Sequence, residues 1–105
     1  MRILIIDDDV ALCRSMQIQL EGEGHSVDVA HTGAEGLRCI GSANPDLAFL
    51  DLNLPDTTGL HILRSLQAKK NTPLIIMVTG VQDANATIEA IRSGAFDYIR
   101  KPLDL

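Results

Sequence analysis

Five short apolar runs alternate with four segments of helical pattern, and this alternation constrains the fold more than any other feature. The apolar runs cover residues 3–6, 26–30, 47–50, 74–78 and 96–99, and the helical segments cover residues 10–22, 34–40, 59–68 and 84–93. Strands that alternate with helices join through right-handed crossovers into a parallel sheet. The pattern therefore predicts one α/β domain of 105 residues, which is enough for a single hydrophobic core.

Residues that can cap helices stand at the predicted boundaries. Asp9 or Asp8 can cap the first helix, Thr58 can cap the third, and Asp83 can cap the fourth. Each side chain carries an oxygen that can accept a hydrogen bond from the first helical turn. The second apolar run alternates with polar residues, which predicts a strand at an edge of the sheet.

Composition and charge narrow the class of protein. The chain is 46% hydrophobic and 22% charged, as is typical of soluble globular proteins, and its net charge of −5 argues against binding nucleic acid by itself. No apolar stretch approaches the length of a membrane span and no signal-peptide pattern opens the chain, so we expect a cytoplasmic protein. Cys13 and Cys39 have no metal-binding spacing and are predicted to be reduced structural thiols.

Two of the apolar runs end in acidic residues. Asp7 and Asp8 follow the first run, and Asp51 follows the third. In open parallel sheets, ligands bind beyond the carboxyl ends of the strands, where these side chains would converge. Three carboxylates repel each other at neutral pH unless a cation or a proton compensates them. The cluster is therefore predicted to serve chemistry rather than stability.

The residue types at these strand ends indicate one chemistry. Carboxylates beside a backbone carbonyl form a hard oxygen site that suits Mg²⁺. A carboxylate can also attack phosphorus, and a divalent cation would neutralise charge on the incoming phosphoryl group. Thr79 and Lys101 follow later strands and would supply a hydroxyl and an ammonium group to the phosphoryl oxygens. Together these residues predict a site that accepts a phosphoryl group.

Four segments, which together span almost the whole chain, resemble the receiver domain of two-component response regulators. They are IIDDD at residues 5–9, FLDLNLPDTTG at 49–59, MVTG at 77–80 and GAFDYIRKP at 94–102. The resemblance implies a doubly wound parallel five-stranded sheet of order 2-1-3-4-5, the flavodoxin-like fold of the chemotaxis regulator. It also implies a switch rather than an enzyme, which takes a phosphoryl group from a sensor histidine kinase and controls an output domain, as in transcription regulation.

The resemblance implies roles for the acidic residues. Asp51 would be the phosphoacceptor. Asp7, Asp8 and Asp51 would hold Mg²⁺ together with the main-chain carbonyl of Asn53, and Asp8 would touch the metal directly while Asp7 would do so through water. None of the three histidines, at positions 25, 31 and 61, is predicted to be a ligand or a phosphodonor, because they share no metal-like spacing.

It implies further roles along the last two strands. Thr79 would donate its hydroxyl to the phosphoryl group, and Lys101 would pair with that group from a cis peptide bond to the following proline. Tyr98 matches the aromatic residue whose rotamer accompanies activation. Asn53 and Val81 would flank the path of the hydrolytic water and tune the phosphoryl lifetime.

Two alternative functions remain open. A phosphatase of the haloacid dehalogenase type would also use an aspartyl nucleophile with Mg²⁺, but it would carry a DxD pattern after its first strand, whereas Asp7 and Asp8 are adjacent. A receiver-like protein that no longer accepts phosphate would serve only as a binding module. Retention of Asp51, Thr79 and Lys101 favours the phosphoacceptor over both.

Receiver domains normally continue after the Lys-Pro pair into a fifth helix, whereas this sequence stops at Leu105. We expect residues 1–105 to form a receiver domain that lacks this helix and exposes the apolar surface beneath it. That predicts low stability, a homodimer or an oligomer formed by exchange of elements. Residues 94–105 also look similar to receivers of sigma-54-dependent activators, a hint about an output domain outside this chain.

Overall fold

The computed structural model describes residues 1–80 and 82–102, and in them five strands alternate with four helices. The strands are β1 (Arg2–Ile6), β2 (Ser26–Ala30), β3 (Leu47–Asp51), β4 (Leu74–Thr79) and β5 (Asp97–Arg100). The helices are α1 (Val10–Gly22), α2 (Gly33–Ala43), α3 (Gly59–Leu66) and α4 (Ala84–Arg92). The predicted number, type and order of elements are therefore confirmed.

All five strands pair in parallel, in the order β2-β1-β3-β4-β5. The predicted doubly wound sheet is confirmed, and β2 lies at an edge, as its alternating pattern indicates. Strands β1 and β3 are neighbours, with Ile6 opposite Leu50. Asp7 and Asp51 each come directly after this pair of residues, so they reach the same edge of the sheet at the same level.

The two faces of the sheet carry separate apolar clusters. The larger cluster packs the central strands against α2, α3 and α4, and its members include Leu4, Ile6, Leu50, Ile62 and Met77. The smaller cluster packs against α1 and includes Ile3, Ile5, Cys13 and Met16. Each fully buried aliphatic side chain contributes about 1.5–3 kcal/mol to folding, so these alternating strand residues hold the sheet that presents the acids.

Most elements begin or end within one residue of the predicted boundary, and the larger differences, at the ends of α2 and α3, are a turn or less. Helix α2 continues to Ala43, because residue 44 ends it in the left-handed conformation with φ of 46°. Helix α3 ends earlier, at Leu66, where the N–H of Gln67 donates to Arg64 in a tighter turn. Strand β5 begins at Asp97 rather than at residue 96. In the part of the chain that the structure describes, no helix has the length and apolar character needed to cross a membrane.

Two of the three predicted helix caps are present. The side chains of Asp9 and Thr58 each accept a hydrogen bond from the backbone N–H three residues later, at 3.0 and 3.1 Å. The third prediction, a side-chain cap by Asp83, is wrong. Asp83 precedes α4, but its carboxylate accepts from the N–H of Gly80 at 2.9 Å and so stabilises the turn after β4 instead.

Candidate functional site

The structure brings three acidic side chains together at the carboxyl edge of the sheet. One carboxylate oxygen from each of Asp7, Asp8 and Asp51 lies within 4.8 Å of the others. Asp7 and Asp51 are buried, at 1% and 6% exposure, whereas Asp8 faces solvent. The β1–β3 register produces this arrangement, because it sets the two strand ends side by side.

Backbone amides hold the two buried carboxylates in place. Asp7 Oδ1 accepts from the N–H of Asp9 at 2.9 Å, and Asp51 Oδ1 accepts from the N–H of Asn53 at 3.3 Å. In both residues the other oxygen, Oδ2, is in contact with the same atom, Lys101 Nζ. The facing oxygens of Asp7 and Asp51 therefore share one small volume.

Lys101 lies between these two carboxylates. Its Nζ atom is 3.1 Å from Asp7 Oδ2 and 3.3 Å from Asp51 Oδ2. The main chain anchors it, because the N–H of Lys101 donates to Thr79 O at 2.7 Å. The Lys101–Pro102 peptide bond is cis, as the resemblance implies. Burial lowers the pKa of Lys101, but hydrogen bonding and the charges of Asp7 and Asp51 outweigh burial and raise it above its usual value.

One lysine does not fully compensate two buried acids. Burial, followed by the negative charge of Asp7, raises the pKa of Asp51 from 3.8 to about 6, although Lys101 and the Asn53 amide act in the opposite direction. Asp7 Oδ2 is buried and has ion-pair contact with Lys101, yet it accepts no well-aligned hydrogen bond from any described residue. A buried oxygen with a free lone pair beside two other carboxylates fits a hard divalent cation or its bound water.

Thr79 ends β4 at the same edge of the sheet. The residue is 1% exposed, and it follows Val78, which is paired with Asp51. Its hydroxyl donates to Ile99 O across 3.4 Å, which is long for a hydroxyl donor. The Thr79 hydroxyl is thus held weakly, one residue beyond the register position of Asp51.

Tyr98 lies away from the acidic cluster. It is 40% exposed and lines a groove of about 460 Å³ between α4 and β5, together with Ile88 and Ile91. Tyr98 is therefore partly accessible to solvent beside α4. Val81 and residues 103–105 lie outside the residues that the structure describes. The role predicted for Val81 therefore stays a prediction.

Asp56 is a residue whose contacts the sequence analysis misses. Its two carboxylate oxygens accept from the N–H groups of Gly33 and Ala34 at 2.8 and 3.0 Å, and these hydrogen bonds lower its pKa. They tie the loop after Asp51 to the first turn of α2. No local sequence pattern predicts these contacts, because the donors and the acceptor lie on different elements. In the structure, Gly33 allows the loop to approach closely, because a Cβ atom there would collide with the side chain of Thr57.

His31 and Cys13 are further neighbours of the site that sequence reasoning does not find. His31 Nδ1 lies 3.0 Å from the main-chain oxygen of Asp7, and Cys13 Sγ lies 3.3 Å from the same oxygen. Burial, followed by the charge of Asp7, raises the pKa of the Cys13 thiol to about 12, so this cysteine stays protonated. No local pattern reveals these contacts, because the first depends on the pairing of β1 with β2 and the second on the packing of α1 against the end of β1.

Sequence comparisons identify relatives over nearly the whole chain. The family model of the response regulator receiver domain matches residues 3–105. The DNA-binding response regulator MtrA of Mycolicibacterium paratuberculosis is 40% identical over 101 residues, which cover 96% of this chain and 44% of MtrA. The cell cycle transcriptional regulator CtrA of Caulobacter vibrioides is 39% identical over 103 residues, or 97% of this chain and 44% of CtrA. The chain thus spans less than half the length of these relatives.

Solved structures agree with this fold. A CheY-like response regulator receiver domain protein from Methanospirillum hungatei is 38% identical, with a TM-score of 0.90 over 98% of this chain and 82% of that one. The receiver domain of NtrX from Brucella abortus is 31% identical, with a TM-score of 0.89 over 97% and 87% of the two chains. From its sheet order, its acidic edge and these matches, we conclude that the chain belongs to the receiver domain family of two-component response regulators.

Proposed function

We propose that the chain is a phosphoacceptor module that accepts a phosphoryl group on Asp51 from a sensor histidine kinase. The observation that carries the proposal is the position of Lys101 Nζ, 3.1 and 3.3 Å from the buried carboxylates of Asp7 and Asp51. A stable core has no need for two partly compensated acids at one strand edge. A site that binds a metal ion and accepts a phosphoryl group needs both of these acids.

The transfer step uses groups that the site already holds. An oxygen of Asp51 attacks phosphorus, the new O–P bond forms an acyl phosphate, and the bond to the donor imidazole of the kinase breaks. The Lys101 ammonium then pairs with a phosphoryl oxygen in place of the Asp51 carboxylate. The Thr79 hydroxyl turns from Ile99 O to another phosphoryl oxygen, which its long hydrogen bond of 3.4 Å makes inexpensive.

The proposed metal ligands are Asp7, Asp8, Asp51 and the main-chain carbonyl of Asn53. When bound, Mg²⁺ supplies positive charge that offsets the acids and the incoming phosphoryl group. The resemblance implies that Asp8 contacts the ion directly and that Asp7 contacts it through a bound water molecule. The acidic trio and the free lone pair of Asp7 Oδ2 support this assignment.

The proposed output is a shift between two conformational populations, not turnover of an external substrate. Thr79 would follow the phosphoryl group, and Tyr98 would leave its exposed position beside α4. The relatives MtrA and CtrA are named as DNA-binding and transcriptional regulators, so we propose that residues 1–105 act as one receiver unit on an output domain outside this chain. A cytoplasmic location and a sigma-54-dependent output both stay predictions.

Intact mass after incubation with acetyl phosphate and Mg²⁺ tests this function. We expect the wild type to gain one phosphoryl group, and we expect no gain in EDTA or in Asp51→Asn. Asp28→Asn, an exposed substitution on β2, is the matched control and should behave as the wild type does. Absence of any gain in a folded wild-type protein would contradict the proposal and favour a silent binding module.

A further inference from the structure

The main chain of Asp7 is held from three directions. Its N–H donates to Ala30 O at 3.0 Å, and its carbonyl oxygen lies 3.0 Å from His31 Nδ1 and 3.3 Å from Cys13 Sγ. These contacts come from the end of β2, the residue after β2 and the first turns of α1. The carbonyl is therefore directed away from the acidic cluster while the carboxylate is directed into it.

Hydrogen-bond chemistry identifies His31 as the stronger of the two donors. A carbonyl oxygen can only accept, so His31 Nδ1 must carry the hydrogen in this contact. The thiol of Cys13 is a weak donor, and its contact is longer. Without the imidazole, the buried carbonyl of Asp7 would keep only the thiol, and a rotation of the peptide unit after Asp7 would cost little.

Residue 31 can make this contact because it lies at the same edge of the sheet as Asp7. Ile6 is paired with Ala30 in the β1–β2 register, so Asp7 and His31 are the first residues beyond paired positions. The chain then turns immediately into α2, because Thr32 caps that helix by accepting from the N–H of Glu35 at 3.1 Å. His31 is half-buried and confined between the sheet and the start of α2.

We propose that His31 is a positioning residue for the metal site: its Nδ1–H group fixes the Asp7 peptide and so holds the Asp7 carboxylate in the geometry that Mg²⁺ requires. The inference rests on the proposed function, in which Asp7 is a metal ligand. A second layer of hydrogen bonds behind a ligand raises metal affinity by reducing the freedom that binding must remove. His31 itself touches neither the metal nor the phosphoryl group.

Titration calorimetry with MgCl₂ on the folded chain tests the inference through a pair of substitutions. His31→Leu removes the donor, whereas His31→Asn places an amide N–H where Nδ1 stands and should restore it. We expect Leu to weaken Mg²⁺ binding by about tenfold and Asn to bind within about twofold of the wild type. His61→Leu, the same exchange at an exposed position of α3, is the control and should leave the affinity unchanged.

A kinetic readout separates positioning from a general loss of structure. Phosphorylation by acetyl phosphate should need more Mg²⁺ for half-maximal rate in His31→Leu, while the rate at saturating Mg²⁺ stays near that of the wild type. Equal Mg²⁺ affinities for the wild type and His31→Leu, or no rescue by Asn, would overturn the inference about His31 alone. A wild type that binds no Mg²⁺ would overturn the proposed metal site and this inference with it.

Discussion

Asp51→Asn is expected to stabilise the metal-free protein although it removes the phosphoacceptor. In the folded state the pKa of Asp51 is raised from 3.8 to about 6, first by burial and then by the charge of Asp7. The unfolded chain therefore releases this proton more readily than the folded chain does. Asparagine has nearly the same shape, remains neutral at every pH and can still accept from the Asn53 amide, so it avoids the cost of the buried charge.

The sign and size follow from linkage. A carboxyl group whose pKa is raised by folding costs no stability below the unfolded pKa, and its cost grows as pH rises towards the folded pKa and is complete above it. A shift of about two pKa units corresponds to roughly 3 kcal/mol, with each unit worth about 1.4 kcal/mol. At pH 8 in EDTA we therefore expect Asp51→Asn to melt roughly 10–20 °C above the wild type, and near pH 4 we expect the difference to shrink to a few degrees.

Thermal unfolding by circular dichroism between pH 4 and pH 8 in EDTA measures this difference. Asp28→Asn, which removes an exposed acid from β2, is the control and should change stability by less than about 0.5 kcal/mol at any pH. An Asp51→Asn protein that is no more stable than the wild type at pH 8, or a difference that does not grow between pH 4 and pH 7, would refute the reasoning. It would mean that Lys101 compensates both buried acids completely.

Three further predictions concern the metal, the loop and the exposed surface. Mg²⁺ at one hundred times its Kd should stabilise the folded wild type by about 2.7 kcal/mol and so raise its melting temperature, with a far smaller effect in Asp51→Asn. Equal gains in the two proteins, measured by calorimetry, would contradict the metal site. Gly59→Ala should destabilise the fold and reduce phosphorylation, because its Cβ atom would collide with the main-chain oxygen of Asp51, and an unchanged denaturation midpoint would contradict this. The exposed Phe96, Ile88 and Ile91 should cause self-association at high concentration, whereas sedimentation of a stable monomer would count against it.

Local sequence patterns predict the helices and strands well, because the side chains that cap a helix contact backbone groups only a few residues away. Asp9 and Thr58 cap their helices through contacts three residues away, which any sequence window contains. Asp83 shows where this fails. A carboxylate before a helix can accept from the first helical turn, but the oxygen of Asp83 accepts from the N–H of Gly80, which precedes it in the turn after β4. Only the folded geometry of the turn separates those two outcomes.

For the candidate site, the sequence by itself determined the acids at the strand ends, since an apolar run followed by Asp7 or Asp51 sends a carboxylate to the edge of a parallel sheet. It also determined Thr79 and Lys101, because each follows a later predicted strand and carries a group that suits a phosphoryl oxygen. Only the tertiary structure decided that Lys101 bridges Asp7 and Asp51, that Asp56 ties its loop to α2, and that His31 and Cys13 support Asp7. These contacts join residues on different elements, so they follow from strand order, register and the packing of helices on the sheet, whereas capping and periodicity act within one element.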